Sequence, residues 1–317
     1  MARFLLRRLI SSLIVLIIGM ILVFLALRVL PGDPVLAKYG ASAGATPENL
    51  DALREEAGLN RPLIVQLFSW LGGIAVGNFG NSYFSQLPVS QLIWERLPVT
   101  IELTFLIVLL SCFIALFSTF LSVRKPGKKI DRFLENLTSL GLAIPNFIVG
   151  IILVITFSLI WGILPSRGYV PISENLFENL KLMILPTFTG AIVATPYLNK
   201  YLRTSMLELQ AAPFVRTAEG KGLSHSNILY RHIFPNALVP TLTMLGLIVG
   251  YTLGGVLVIE YMFGLPGIGS LAIESAATRD YAILQGVSIL IMTLFLLTTL
   301  LFDLACGLVD PRIKSNK

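Results

Sequence analysis

The residue types able to do covalent or metal chemistry are few in this chain, and their spacing does not suit it. His225 and His232 lie in one basic stretch with no further ligand type spaced to join them, so a solvated or interfacial role is expected. Cys112 and Cys306 sit inside apolar runs and read as small core residues, with no disulfide implied. No Gly-x-x-x-x-Gly-Lys-Ser/Thr loop, Gly-x-Ser-x-Gly elbow or His-Glu-x-x-His helix occurs. The chain is therefore expected to hydrolyse no ATP and to be no enzyme. Three acids, Glu102, Glu260 and Asp303, lie toward the ends of apolar stretches, where they are expected to reach an interface. A carrier driven by protons or sodium would bury carboxylates near the membrane midplane and show paired repeats, and neither pattern is evident. Any uphill transport must draw its energy from another chain.

The stretch from Glu208 to Pro240 is more patterned than a simple link needs to be. Pro213 suits the first turn of a short helix that brings Phe214, Val215 and Ala218 to one face. Gly220 and Gly222 end that helix, and Ser224 can cap the next, which runs through Ile228, Leu229 and Ile233 to Pro235. The expected unit is a short helix lying on the membrane surface, a glycine break, and a helix leading into a span.

Composition requires the membrane. Hydrophobic residues make up 55% of the 317-residue chain and charged residues 13%, against about 25% charged in a soluble domain. Six windows approach the roughly 20 apolar residues that cross a bilayer. They are Leu9–Leu30, Val99–Val123, Leu140–Leu164, Ile184–Leu202, Ala237–Ile259 and Ile283–Val309. The fourth is the weakest, being short and carrying Pro186 and Pro196. The first follows Arg7 and Arg8 but is too long for a signal peptide and lacks a cleavage site, so it is read as a retained span. Sixteen of the 24 Lys and Arg residues fall at the N-terminus, in the loops after the second and fourth windows, and in the tail. This bias places both termini in the cytoplasm. The +6 net charge thus reports orientation and is no nucleic-acid footprint.

Four regions follow. Residues 1–30 form the tail and first span, and 31–98 an extracytoplasmic segment. Residues 99–309 form a five-helix core with a cytoplasmic loop at 205–235, and 310–317 form a cytoplasmic tail. Within 31–98, Thr46-Pro47-Glu48 starts a helix that ends near Gly58, an amphipathic helix runs from Pro62 to Leu71, and residues 77–82 form turns. Pro145 and Asn146 are placed to break the third span. Gly246, Gly250 and Gly254, four apart, suit either close helix packing or a smooth pathway wall. Residues 264–269, with Pro266 and Gly267, read as a re-entrant turn or a plain loop on the outer side.

These pieces resemble a known family. Arg216-Thr217-Ala218-Glu219-Gly220-Lys221-Gly222, with Pro235 beyond it, is similar to the cytoplasmic "EAA" loop of ABC importer permeases. Val215-Arg216-Thr217-Ala218, Lys221-Gly222-Leu223 and the run Arg231 to Pro240 resemble the dipeptide/oligopeptide/nickel branch. So do Leu30-Pro31-Gly32-Asp33-Pro34, Gly58 to Pro62, Arg96-Leu97-Pro98, Ile144 to Phe147, Glu260 with Gly264 to Gly269, Arg279-Asp280-Tyr281 and Asp310-Pro311-Arg312. The long outer segment after span one resembles that of the first permease of such systems. Where relatives commonly carry acids before a tyrosine-like position, this chain has Ala212 and Pro213, and Glu219 stands where a basic residue is common.

The resemblance implies an all-α, six-span type I ABC importer permease in the plasma or inner membrane of a prokaryote. It implies a second permease, two ATPase subunits that hold ATP and Mg, and an external solute-binding protein, with no cofactor on this chain. Arg216, Thr217, Ala218, Glu219, Gly222 and Pro235 would form the coupling loop that seats on an ATPase. Pro145, Asn146, Gly250, Gly254, Pro266 and Gly267 are the candidates for pathway or gate. Di- or oligopeptides are the implied solutes, with nickel, a metal chelate, or another small solute such as glutathione as alternatives. A stand-alone secondary carrier and a membrane scaffold are the rivals from other classes.

Overall fold

In hydrocarbon no water is present to satisfy backbone amides and carbonyls, so apolar runs of this length must close their hydrogen bonds within helices. The computed structural model describes residues 2–29, 46–56 and 58–309, and among these it is almost entirely helical. The expected motifs at 30–34 and 310–312 and the C-terminal tail lie outside the described residues.

The chain runs through α1 (Ala2–Val29), α2 (Pro47–Glu56), α3 (Leu63–Ala75), α4 (Val89–Val123), α5 (Lys129–Ala143) and α6 (Asn146–Leu153). α6 widens into π-turns over Val154–Ile160. Then come α7 (Leu176–Gln210), α8 (Pro213–Gly220), α9 (His225–Ile228), a second π segment (Leu229–Ile233) and α10 (Phe234–Gly255). α11 (Leu257–Phe263), α12 (Ile268–Thr278) and α13 (Tyr281–Val309) complete the bundle.

Among the described residues, five unbroken helical stretches are long and apolar enough to cross a membrane, and they carry five of the six expected windows. The third window falls on a broken pair, α5 and α6 with its π extension, which meet at 105°. The break lies at Ile144 and Pro145, both extended, because a proline ring pushes the residue before it out of the α region. A second bent pair, α11 and α12, turns through 86° at residues 264–267. The bend falls on the segment read as a re-entrant turn or a plain loop, and it suits either a broken span or a re-entrant turn.

α4 begins at Val89, ten residues ahead of its apolar window. Val89, Ile93 and Leu97 are buried against Ile268, Leu271, Ile283 and Val287, while the polar residues between them face outward. An amphipathic lead-in of this kind lowers mean hydropathy without ending the helix. α7 likewise runs unbroken through Pro186 and Pro196.

The centre is built from α4, α7 and α10, with Leu103, Ile107, Met183, Leu185, Leu198, Ile248, Ile259 and Phe263 buried between them and α11. Lipid tails are as apolar as leucine, so helices in a membrane associate through close packing at small residues. A Cβ on Gly190 would lie 2.3 Å from Ile107 Cδ1, and one on Gly141 would lie 2.5 Å from Pro196 Cγ. α1 is peripheral: Phe24 and Met20 are buried, while Leu9, Leu13, Ile18 and Leu22 face outward. It packs antiparallel on α13, with an ion pair between Arg8 and Asp303 at 2.5 Å. Both described chain ends therefore lie at the same end of the bundle, with the basic loops.

The tight α4–α7 contact makes a direct expectation. Gly190→Val should lower the thermal unfolding midpoint of the purified protein, with a cost of about 1–3 kcal/mol from overpacking. Adding Ile107→Ala in the same chain should recover much of it, as a detergent-solution melt would reveal.

Candidate functional site

The basic end carries the loop singled out by the sequence. Ala212 is extended, and Pro213 opens α8 at the first helical position, where its missing N–H is no loss. Val215 and Ala218 are buried and face the bundle, whereas Arg216, Thr217 and Glu219 are exposed. Phe214, expected on the inner face with them, is exposed. The helix ends in a Schellman motif. Leu223 N–H donates to Ala218 O at 3.2 Å, and Gly222 N–H donates to Glu219 O at 2.8 Å. That closure needs a left-handed residue, and Gly222 supplies it with φ +79°.

Ser224 caps α9, its hydroxyl accepting from the Asn227 N–H. The chain then passes through the π segment into α10 without a break in direction. Pro235 has no N–H and crowds the preceding turn, and the widened π spacing directly before it accommodates the mismatch. Val215, Ala218, Ile228, Leu229 and Ile233 pack as one cluster with Val123 of α4 and with Leu202 and Met206 of α7. α8 is thus mounted on the ends of three spans.

A polar clamp lies beside this cluster. Asp131 is 2% exposed. It accepts from Arg203 Nη2 at 2.9 Å and Nε at 3.0 Å, from Gly127 N–H at 2.7 Å, and from the Ser122 hydroxyl. The start of α5 is thereby tied to the ends of α4 and α7. Arg124 donates to the Tyr230 hydroxyl at 2.5 Å, joining α4 to the π segment.

At the opposite end, the turn between α11 and α12 is organised by Glu260. Its side chain was expected at an interface, but it is fully buried. Its carboxylate accepts from Thr100 Oγ1 at 2.6 Å, from Gly269 N–H at 2.7 Å and from Ser270 N–H at 3.3 Å. The Ile268 N–H donates to Thr100 Oγ1 at 2.8 Å. Thr100 and Glu260 together satisfy the unpaired amides at the start of α12, where the helix dipole also favours an anion. Gly267 is required here: a Cβ would lie 2.2 Å from the carboxylate. Pro266 lies in the same turn.

The other two acids also have partners. Asp303 pairs with Arg8. Glu102 accepts from Tyr169 Oη and Asn179 Nδ2, both at 2.8 Å. Burial first, and then that hydrogen bond, push the Tyr169 phenol up to about 12, so it stays protonated as a donor.

A groove of about 390 Å³ runs along α4, α7 and α10. Ile107, Ala194, Leu247 and Ile248 form its apolar walls, with Asn146, Tyr197, Tyr251 and Thr252 as its polar positions. Asn146 opens α6 immediately after the Pro145 break and is half-buried. Gly250 lies elsewhere. A Cβ on it would be 2.6 Å from Phe295 of α13, and one on Gly246 would be 2.5 Å from Phe302, while Gly254 faces Ile291. The glycine row packs on α13, and Gly250 and Gly254 also line a second cavity of about 350 Å³ together with Val15 and Leu16 of α1.

Two family descriptions cover nearly the whole chain. Residues 107–315 match "Binding-protein-dependent transport system inner membrane component", and residues 1–104 match the N-terminal part of such membrane components. The chain belongs to this family. It is therefore a multi-pass membrane protein of the permease kind. Among similar curated proteins, the probable peptide ABC transporter permease y4tP of Sinorhizobium fredii is 38% identical over 99% of this chain and 100% of its own. The oligopeptide transport system permease AppB of Bacillus subtilis is 34% identical over the same shares. A solved chain from the inward-facing MetNI methionine ABC transporter superposes with a TM-score of 0.58. At 17% identity, covering 69% of this chain and 97% of that one, it supports the fold alone.

In this permease the clamp and the Glu260 cap escaped sequence reading, since their members are 72 and up to 168 residues apart. The available signals were slight: one acid, Asp131, in a strongly basic loop, and Glu260 beside the Gly267 and Gly269 pair. Asp131→Ala should destabilise the purified protein by about 3 kcal/mol, because it leaves Arg203 without its buried partner. Arg203→Gln added to it should cost little more, and the non-additivity in a double-mutant cycle measures the pair. Gly267→Ala should be costlier than an ordinary loop substitution, by about 2 kcal/mol or more, since the Cβ displaces a buried carboxylate from its donors; a thermal melt reads this.

Proposed function

We propose that this chain is one of two permease subunits of an ATP-driven importer of di- or oligopeptides, and that α8 is its coupling helix. The relatives named as peptide permeases, similar over their full length, support the solute class. One observation carries the coupling role: α8 is anchored on its inner side to the ends of α4, α7 and α10 and presents Arg216, Thr217 and Glu219 outward. The excess of Lys and Arg at this end directs it to the cytoplasm, where ATP is available.

On this reading an ATPase partner grips the exposed face of α8. Movement of the ATPases on nucleotide binding is carried by Val215 and Ala218 into the buried cluster, and from there to three spans. The Gly222 turn links α8 to α9, which continues through the π segment into α10. A two-state bundle biased in this way alternates between faces, each ligand favouring the state it binds better. A solute-binding protein docks on the opposite end, which bears the long segment before α4. The groove with Asn146, Tyr197 and Tyr251 is one wall of the pathway, and the second permease supplies the other. The Pro145 break and the Pro266–Gly267 turn are its mobile boundaries. Gly250 and Gly254 serve to hold α10 against α13.

Gly222→Val tests the coupling assignment. A Cβ at this position meets nothing within 4 Å, so the substitution acts through backbone conformation. A left-handed β-branched residue is strained by about 1–2 kcal/mol or more, which shifts the exit from α8. In proteoliposomes holding the whole transporter, binding-protein-stimulated ATPase activity and peptide uptake should both fall at least tenfold while all subunits still co-purify. Wild-type coupling in this variant would remove α8 from the role.

A further inference from the structure

Away from the groove, a pocket of about 390 Å³ opens at the end opposite the basic loops, between α1, α3, the 78–83 turn and the start of α13. Arg28, Arg61, Gln66, Trp70, Tyr83 and Gln285 are among its lining residues, and none of the described lining residues is an acid. Arg28 lies over the ring of the buried Phe24, 5.2 Å from its centroid, and Phe24 meets Trp70 at 5.5 Å. The guanidinium is thus fixed in place, yet its Nε is buried without a hydrogen-bond partner. Gln66 donates through Nε2 to Leu59 O and Arg61 O, while its Oε1 is likewise buried and unpaired. Burial pushes the Tyr83 phenol up, and the Arg28 charge pulls against this.

Buried polar groups without partners cost free energy, so two in one pocket call for a ligand. The pocket has two cations, an unpaired donor and an unpaired acceptor, which suit an anionic phosphate ester carrying a hydroxyl. Its surroundings identify the source. Leu63, Ile64, Val65 and Phe68 of α3 are exposed apolar residues, as are Leu22 and Leu25 of α1. Such faces lie in acyl chains, and Trp and Tyr beside them mark the headgroup level.

We propose that this pocket binds the headgroup of an anionic glycerophospholipid, with Arg28 and Arg61 taking the phosphate and Gln66 Oε1 accepting from a headgroup hydroxyl. The lipid would fasten α3 to α1 and α13.

Phosphatidylglycerol and phosphatidylcholine with identical acyl chains would be titrated into the delipidated full-length permease. Native mass spectrometry would read bound lipid and a melt would read stabilisation. The expected result is one phosphatidylglycerol retained at least tenfold more tightly than phosphatidylcholine. That preference should fall at least fivefold in Arg28→Gln and, more weakly, in Arg61→Gln, which alters an exposed residue and serves if the first variant folds poorly. Equal retention of the two lipids, or a preference unchanged in both variants, overturns the proposal. So does full displacement by millimolar inorganic phosphate, which would make the site one for a free anion. The readout is lipid binding and not uptake, so it stands or falls apart from the transport reading.

Discussion

A backbone amide or carbonyl left unpaired in hydrocarbon costs several kcal/mol, so every departure from a straight helix in this bundle must be repaired close by. Four breaks among the described residues have an identifiable repair. Extended residues at Ile144 and Pro145 end α5, and α6 starts afresh. Thr100 and Glu260 close the exposed start of α12. A left-handed glycine closes the end of α8, and a π segment absorbs Pro235. These repaired breaks are the places where a helical bundle can change shape without exposing its backbone, and the proposed coupling and gating elements coincide with them.

The same economy governs charge. Asp131, Glu102, Glu260 and Asp303 each have named partners, most of them on another helix. Such pairs contribute little net stability against apolar replacements, because desolvation offsets their attraction. Breaking one is costly, however, so they fix which helices are neighbours. The Asp131–Arg203 pair sets α5 against α7 beside α8, and Glu260 holds α12 against α4 at the far end. The two ends of α4 and α7 are therefore defined by polar locks, while close packing at Gly190 and Gly141 defines the middle.

This division suits a transmission element. The apolar cluster beneath α8 joins the ends of α4, α7 and α10, and those three helices also line the groove. On the proposed reading, a displacement of α8 reaches the groove wall through these packed side chains.

Hydropathy in the sequence established the membrane class and the existence of the crossing helices, because these depend on local composition. Turn chemistry at Pro213, Gly222 and Ser224 marked α8 and its exit, since capping is decided within a few residues. Pro145 marked the break in the third span for the same reason. The start of α4 at Val89 was not legible, because only neighbouring helices show which face of an amphipathic segment is buried. Nor were the surroundings of Gly250 and Gly254: spacing by four permits either a packing face or an open wall, and in the structure both lie against α13 while lining a second cavity of about 350 Å³. The buried state of Glu260, the Asp131–Arg203 clamp and the Arg28 pocket belong to the tertiary structure alone. Their partners are far apart in the chain, and no local pattern records which distant side chain will satisfy a buried charge.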